Sequence, residues 1–341
     1  MKGQSQELKD AMTGPGTREE LLKLLRRPGG DYLSGETLSR ALAVSRSAVW
    51  KQIRLLREQG YVIEAVPSRG YRLAETPDSL IPAEIQEDLG TLVVGGELLC
   101  LNQTDSTNAR AHELGEAGAA DGTVVIADQQ SAGKGRLGRR WASPAGVNLY
   151  ASALLRPPLP PRYAPQLTFV SAVAVARAVG EISGLPAEVK WPNDVLLGGR
   201  KVAGLLNEMS AETERIHYVV LGIGVNLNMA PEQFPEDLRY PATSVAIETG
   251  RPVSRLAFTR LLLRQLDELY QTFLQQGVEP ILHLWQALFP LQGKQVSVDQ
   301  QGALLVGRVE GLDGDGALLL RLDDGRLERI LAGDVRPLAG A

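Results

Sequence analysis

The chain changes character at a short linker, residues 74–83, and this change constrains the fold more than any other feature. The linker reads AETPDSLIPA, and its two prolines disfavour continued regular structure. Residues 1–75 carry 13 basic and 9 acidic side chains, whereas the rest of the chain carries 23 basic and 31 acidic ones. A small head of net charge +4 therefore precedes a larger acidic body of net charge −8, and 341 residues suffice for two or three domains.

Local signals in the head predict three helices followed by a hairpin. The TREE sequence at 17–20 is a capping box, and Ser34 and Ser45 are residue types that favour the N-cap position. The predicted helices and strands are, in order, helices over 17–27, 35–42 and 46–59 and strands over 61–65 and 71–73. This order is typical of a winged helix-turn-helix, which we place at residues 17–75.

The predicted third helix has a polar, cationic solvent face. In a winged helix-turn-helix this helix enters the major groove of DNA and the hairpin contacts the backbone. The candidate DNA-binding residues are Ser45, Arg46, Ser47, Trp50, Lys51, Arg54 and Arg69. The overall charge of −4 excludes nucleic-acid binding through the bulk charge of the whole chain. The alternative to a DNA-binding head is a small helical domain that binds protein and whose charged face is merely solvated.

The pattern after the linker is that of an α/β structure of the α+β type. The predicted strands of residues 84–288 are 98–101, 123–127, 147–155, 188–190, 195–197, 201–209 and 217–225, with helices over 108–116, 164–183 and 255–276. Residues 290–338 contain four further strands joined by Asp-Gly turns, at 295–298, 304–309, 317–321 and 327–330. These short strands predict a small β-barrel at the end of the chain.

Composition excludes several classes of protein. The single cysteine, Cys100, excludes an intrachain disulfide, and with three histidines it argues against a Cys/His zinc site. Cys100 lies in an apolar run, so we expect a buried structural thiol. The first ten residues lack the apolar core of a signal peptide, and no run of about 20 apolar residues occurs. We therefore expect a cytoplasmic protein with no membrane partner.

The stretch 129–150, QQSAGKGRLGRRWASPAGVNLY, indicates an anion site. No acidic residue occurs between Asp128 and Glu181, while four cations fall within seven residues, at Lys134, Arg136, Arg139 and Arg140. Glycines let backbone N–H groups approach an anion, which the cations neutralise. The GxGxxG pattern here does not predict a dinucleotide fold, because Pro144 and Gly146 follow where a helix should begin.

Two more segments carry candidate chemistry. KWPND at 190–194 and RKVAG at 200–204 place Lys190, Asp194 and Lys201 where all three could face one pocket, although a surface set of ion pairs is an equal alternative. GIGVN at 222–226 is a weak signal alone. Together the segments suggest a reaction that joins two anions. Such anions repel each other, and cations and backbone donors are needed to overcome this repulsion. Adenylation of a carboxylate fits this pattern.

At these residues the sequence closely resembles the bifunctional biotin protein ligase and biotin operon repressor family. The matching motifs are DSTN at 105–108, Gln130 with the GKGRLGRRW loop, SPxGxNLY at 143–150, KWPND at 190–194, KxAG at 201–204 and GIGVN at 222–226. The resemblance covers about residues 17–338. It implies a winged helix-turn-helix, a class II synthetase-like catalytic domain with a mixed sheet, and a C-terminal SH3-like β-barrel.

The resemblance also implies a reaction and partners. Biotin and MgATP give biotinyl-5′-AMP, and biotin then passes to a lysine of a biotin carboxyl carrier domain, typically of acetyl-CoA carboxylase. Biotinyl-AMP promotes a homodimer that binds operator DNA. The alternatives are a ligase whose head no longer regulates DNA, a ligand-sensing regulator without ligase activity, and a lipoate-type ligase on a related fold.

Site residues are implied motif by motif. The biotin-binding residues are Ser106, Thr107, Asn108, Gln130, Lys134, Gly135, Arg136, Lys201 and Gly204. The ATP-binding residues are Gly133, Arg136, Arg139, Trp141, Lys190, Asn193 and Asn226. The catalytic residues are Arg136, which retains the adenylate, with Lys190, Lys201 and Asp194. Asp194 is expected to hold Mg²⁺, to orient Lys190 or to act as a base, and no tightly bound metal is expected.

The glycine-rich loop departs from the family pattern at one position. Many members have Arg-Gly-Arg where this chain has Lys134-Gly135-Arg136. A lysine keeps the charge but lacks the bidentate fork of a guanidinium. If the position acts through its backbone, the change has little effect; if its side chain clamps the adenylate, the intermediate is lost faster.

Overall fold

The computed structural model describes residues 15–26, 30–300 and 303–338, which fall into two compact units, 1–79 and 80–341. The first unit contains α1 (Pro15–Leu25), α2 (Gly35–Ala41), α3 (Arg46–Glu58), β1 (Val62–Val66) and β2 (Gly70–Glu75). This confirms the predicted winged helix-turn-helix order. The expected cap at Thr17 is wrong, because the helix begins at Pro15, a residue type favoured in the first turn. The predicted end at Arg27 lies outside the described residues.

The first unit has its own apolar core. Ser34 and Ser45 accept hydrogen bonds from the backbone N–H groups of the residues three positions later, at 3.0 and 3.2 Å, and so cap α2 and α3 as predicted. Helix α3 buries Val49, Ile53 and Leu56 against the leucines of α1 and α2. Its opposite face is exposed, as predicted from the helical spacing.

The second unit is built on a mixed seven-stranded sheet. Its strands are β3 (Leu98–Thr104), β4 (Thr123–Gln130), β5 (Leu149–Leu155), β6 (Ala187–Lys190), β7 (Asp194–Leu197), β8 (Arg200–Ala211) and β9 (Ile216–Val225). The order is β3-β4-β5-β9-β8-β7-β6, in which β3 and β4 are parallel and the other neighbours antiparallel. All seven predicted strands are present, and the mixed sheet is confirmed.

Helices cover this sheet. They are α4 (Pro82–Gln86), α5 (Thr107–Glu116), α6 (Leu167–Ser183), α7 (Val245–Thr249), α8 (Arg255–Gln276) and α9 (Glu279–Ala287). Helix α6 is buried over most of its length and packs on α8. The predicted start of α6 at Ala164 is three residues early, because residues 161–166 form a 3₁₀ turn instead. The short helices α4 and α7 and the nine-residue α9 were not predicted.

The chain ends in a five-stranded antiparallel sheet, consistent with the expected SH3-like domain. Its strands are β10 (Gln295–Gln300), β11 (Ala303–Leu312), β12 (Leu318–Leu322), β13 (Leu327–Ile330) and β14 (Asp334–Pro337), in the order β13-β12-β11-β10-β14. Strand β14 was missed. Apolar residues of this sheet belong to the same core as the central sheet. The predicted boundary between residues 84–288 and 290–338 therefore lies inside one compact unit and stays a prediction.

Two other expectations concern single features. Cys100 on β3 is half-buried, and burial raises the pKa of its thiol to about 12, which disfavours the nucleophilic thiolate. Within the described ranges, no helix combines the length and the apolar content needed to cross a membrane.

The turn between β11 and β12 joins the C-terminal sheet to the central one. The indole of Trp191 donates a hydrogen bond to the carbonyl of Gly316 at 3.3 Å. Gly316 has a φ of +87°, and a Cβ there would lie 2.2 Å from the ring of Phe169. A side chain is therefore excluded by both the backbone conformation and the packing.

Gly316→Ala is expected to lower the free energy of unfolding by about 3 kcal/mol, because the methyl group forces strain at positive φ and overpacks the interface. Urea unfolding monitored by circular dichroism measures the change. Gly314→Ala in the same turn is the matched control, since a methyl group there would meet no neighbouring atom within 4 Å. Equal midpoints for the two variants would contradict the assigned role of Gly316.

Candidate active site

A cavity of about 760 Å³ opens at one end of the central sheet. It is formed by the ends of β4 and β9, the start of β8, the β6–β7 hairpin, the glycine-rich loop, the segment 229–242 and β14. The predicted site residues that line it are Ser106, Thr107, Asn108, Gln130, Lys134, Gly135, Arg136, Arg139, Trp141, Lys190, Asn193, Asp194, Lys201, Gly204 and Asn226. Gly133 does not line the cavity. It is buried behind it, where a Cβ would lie 2.6 Å from the Trp141 carbonyl oxygen.

One end of the cavity is polar and uncharged. The Gln130 Oε1 accepts hydrogen bonds from the backbone N–H of Thr107 at 2.8 Å and from its hydroxyl at 3.2 Å. The Gln130 Nε2 donates to the Ser143 hydroxyl at 2.9 Å. These bonds fix the amide orientation of Gln130 and tie the end of β4 to the start of α5. The arrangement suits a ligand that carries neutral hydrogen-bonding groups.

A buried serine that the sequence analysis missed organises the same end. The Ser152 hydroxyl lies 2.8 Å from the Thr107 Oγ1 and 2.6 Å from the Asn108 Oδ1. The Asn108 Nδ2 in turn donates to the Glu208 carboxylate at 2.6 Å. Ser152 and Glu208 sit in ordinary strand patterns, so only the cross-sheet packing reveals their connection to the cavity.

The glycine-rich loop is held as a tight hairpin. The N–H of Gly135 donates to the Arg139 carbonyl at 2.7 Å, and that of Trp141 to the Gly133 carbonyl at 2.9 Å. The Arg136 guanidinium donates to the Asn193 Oδ1 at 3.1 Å. Burial lowers the pKa of Arg136, so its charge is poorly solvated and a bound anion would be strongly favoured.

Three charged residues of the KWPND and RKVAG segments meet in the cavity, as expected if they face one pocket. Lys190 and Asp194 are opposite each other across the β6–β7 hairpin. Lys201 forms an ion pair with Asp194, with 2.7 Å between Nζ and Oδ1. Desolvation lowers the pKa of Lys190. The surface ion-pair alternative is therefore disfavoured, because the side chains of Lys201 and Asp194 are only 26% and 18% exposed.

The indole of Trp141 explains the glycines of two motifs. A Cβ at Gly204 would lie 2.9 Å from the indole, and one at Gly224 would lie 2.6 Å from it. Within the described part of the chain, the buried Nε1 of Trp141 has no hydrogen-bond partner. Gly222 makes room for Asn108 in the same way, at 2.2 Å. These contacts give the weak GIGVN signal a physical basis.

Other residues of the site come from segments without a recognisable motif. The Asp334 carboxylate on β14 accepts from Arg139 at 2.8 Å and pairs with Arg239 at 2.8 Å. The Asn226 Nδ2 donates to the Thr243 carbonyl at 3.0 Å, directly after the segment 229–242. Asp334 lies 195 residues from Arg139, and no local pattern in the sequence connects the two.

The predicted DNA-binding residues lie on the surface of the first unit, around α3 and at the tip of the hairpin. All seven are exposed, and the Trp50 side chain is 54% exposed. Arg46 pairs with Glu36 at 2.8 Å, and the Arg69 guanidinium lies 4.4 Å from the Tyr32 ring centroid. The Arg69 guanidinium at the tip of the wing therefore contacts an aromatic face.

Family models cover the three parts of the chain. The Biotin/lipoate A/B protein ligase family matches residues 100–226, an HTH domain matches 17–72, and the Biotin protein ligase C terminal domain matches 292–336. These matches follow the order of the winged helix-turn-helix, the central sheet and the C-terminal sheet.

Individual relatives are similar over most of the chain. The bifunctional ligase/repressor BirA of Bacillus subtilis is 38% identical over 318 residues, which are 93% of this chain and 98% of that protein. A biotin–[acetyl-CoA-carboxylase] ligase of Paracoccus denitrificans is 40% identical over 229 residues, 66% of this chain and 95% of that protein. The biotin protein ligase of Aquifex aeolicus, solved with biotin and ATP, has a TM-score of 0.62 and 30% identity over 71% of this chain and 100% of that one. The chain therefore belongs to the bifunctional biotin protein ligase and biotin operon repressor family.

Proposed function

We propose that the chain activates biotin with ATP to biotinyl-5′-AMP, transfers biotin to one lysine of a biotin carboxyl carrier protein, and represses transcription through its first unit. The observation that carries the ligase proposal is the division of a single cavity into an uncharged polar end and a strongly cationic end. Biotin has the same division, with a neutral ureido ring at one end and a carboxylate at the other.

The polar end receives the ureido ring. Gln130 and Thr107 offer an amide and a hydroxyl whose positions are fixed by Ser143 and Ser152. Because these groups are bonded before the ligand arrives, little side-chain entropy is lost on binding. The same neutral groups disfavour a charged ligand at this end.

The cationic end brings the carboxylate of biotin to the α-phosphate of ATP. Lys190, Lys201 and Arg136 screen the repulsion between the two anions and stabilise the charge that develops on the phosphorus centre. The guanidinium of Arg136 can bind phosphate oxygens in a bidentate manner and retain the adenylate. The carboxylate oxygen forms the new bond to phosphorus, and pyrophosphate leaves.

In the second step the amine of the carrier lysine attacks the carbonyl of the mixed anhydride, and AMP leaves. The amine must lose a proton, and Asp194, whose carboxylate pairs with Lys201 rather than with Lys190, is the carboxylate proposed to accept it.

Magnesium is proposed to enter with ATP. In the described ranges no group of three or more acidic, His or Cys side chains is arranged to hold a metal ion. A single carboxylate, that of Asp194, fits an ion that is held mainly by phosphates and water and that supplies charge neutralisation.

The first unit is proposed to bind operator DNA through α3 and the wing, as a homodimer favoured by biotinyl-AMP. The exposed cationic side chains of α3 support the DNA contact. The alternative is a ligase that has lost DNA regulation, which the ion pairs of Arg46 and Arg54 with neighbouring glutamates would suit.

Arg136→Gly is expected to release biotinyl-AMP and label proteins indiscriminately, because the guanidinium that retains the adenylate is removed. The test mixes the purified protein with labelled biotin, MgATP, a carrier domain and a bystander protein. The label is then counted on the carrier and on the bystander. The wild type should label only the carrier. A wild type that makes neither labelled carrier nor biotinyl-AMP would refute the ligase.

Ser152→Ala is expected to weaken biotin binding about tenfold, since an unmade buried hydrogen bond costs about 1–3 kcal/mol and about 1.4 kcal/mol corresponds to tenfold in affinity. Isothermal titration with biotin measures the change. Ser171→Ala is the matched control, because this buried hydroxyl donates to the Thr168 carbonyl of its own helix. Equal biotin affinity in both variants would remove the role of Ser152.

Lys51→Ala is expected to weaken biotinyl-AMP-dependent binding to the operator region. The slope of the logarithm of the binding constant against the logarithm of the salt concentration should become less steep by about one for each lost phosphate contact. Fluorescence anisotropy over a salt series measures both. Lys23→Ala on α1 removes the same charge elsewhere in the unit and serves as control. Absence of specific binding by the wild type would favour the ligase without DNA regulation.

A further inference from the structure

The segment 237–243 lies across the cationic end of the cavity and is bonded to the start of β8. The N–H of Lys201 donates to the Pro241 carbonyl at 2.8 Å, and the N–H of Thr243 donates to the Lys201 carbonyl at 2.9 Å. Both bonds use the residue that pairs with Asp194. The segment is therefore positioned by the same strand that carries a candidate catalytic lysine.

Tyr240 in this segment lies against the other candidate lysine. The Lys190 Nζ is 3.5 Å from the centroid of the Tyr240 ring, well within the range of a cation–π contact. The Tyr240 hydroxyl donates to the Gly199 carbonyl at 3.2 Å. The ring is thus anchored through its hydroxyl, and the backbone next to Tyr240 is anchored at Pro241.

The two candidate catalytic lysines are held in different ways. Lys201 is paired with the carboxylate of Asp194, whereas in the described part of the chain no carboxylate lies within 4 Å of the Lys190 ammonium. An aromatic face orients an ammonium group without neutralising its charge. A carboxylate in the same place would neutralise the lysine and repel an approaching phosphate.

We infer that Tyr240 is a positioning residue that holds the Lys190 ammonium over its ring and keeps its remaining N–H groups available for the phosphates of ATP. The inference rests on the proposed function, because it assigns Lys190 to adenylation. It adds a residue outside every motif that the sequence analysis singled out.

A second set of contacts connects the segment that carries Tyr240 to the C-terminal sheet. Arg239, next to Tyr240, pairs with Asp334 at 2.8 Å and with Asp299 at 3.1 Å. The C-terminal sheet therefore holds the residue adjacent to the aromatic ring. The C-terminal sheet thereby helps to fix the position of Tyr240 and, through it, the position of Lys190.

Three replacements of Tyr240 separate cation–π positioning from a merely structural role. We expect Tyr240→Leu to lower kcat for biotin-dependent exchange of pyrophosphate into ATP about tenfold, with the Kd for biotin within about twofold of the wild type. A tenfold change corresponds to about 1.4 kcal/mol, which is within the range of a cation–π contact. Tyr240→Phe should restore kcat to within about threefold, because the ring face is kept. Pentafluorophenylalanine at position 240 keeps the shape of the ring but removes its negative face, so it should behave as leucine does.

The outcomes are distinguishable from a failure of the proposed function. A wild type without exchange activity refutes the ligase itself. An active wild type whose pentafluorophenylalanine variant equals Tyr240→Phe overturns the inference, as does a Phe variant as slow as Leu, which would assign the effect to the hydroxyl bond with Gly199. Thermal unfolding of each variant controls for folding, and the fluorinated variant remains informative if Tyr240→Leu does not fold.

Discussion

The contact of Trp141 with two backbone glycines of the central sheet is the constraint on which the site depends. Because Gly204 and Gly224 have no side chains, the indole reaches the sheet itself. This fixes the end of the glycine-rich loop, whose start is tied back through the Trp141 N–H to the Gly133 carbonyl. A glycine-rich loop would otherwise have a high conformational entropy, and here it is anchored where its cations face the cavity.

The electrostatics of the site follow from this placement. Arg136 and Lys190 are partly desolvated, and burial lowers the pKa of each. Charges held away from water interact strongly with a bound anion. The structure thus stores an unfavourable solvation energy that an anionic ligand relieves. Two acidic residues of the cavity are paired with cations that also line it, Asp194 with Lys201 and Asp334 with Arg139 and Arg239.

The sequence predicted much of the fold because the long strands and helices carry regular hydrophobic patterns. Helix α8 has the predicted bounds, and every predicted strand of the central sheet is found. Strand β14 was missed because its four residues, DVRP, include a single apolar side chain of the strand-forming type, Val335, and end on a proline. The short helices α4 and α7 offer too few turns for periodicity to be visible. Thr17 was assigned as the N-cap from the capping-box pattern of residues 17–20, but the helix begins two residues earlier, at Pro15.

The sequence by itself determined the local chemistry: which loops carry cations, which turns require glycine, and which motifs connect the chain to its family. Only the tertiary structure decided which of these groups meet. Ser152 and Glu208 join the site through the register of the central sheet, whereas Asp334 reaches it from the C-terminal sheet and Tyr240 from a loop. Hydrophobic periodicity specifies which face of an element is buried, but the distant residue opposite that face is selected by packing, which no local pattern records.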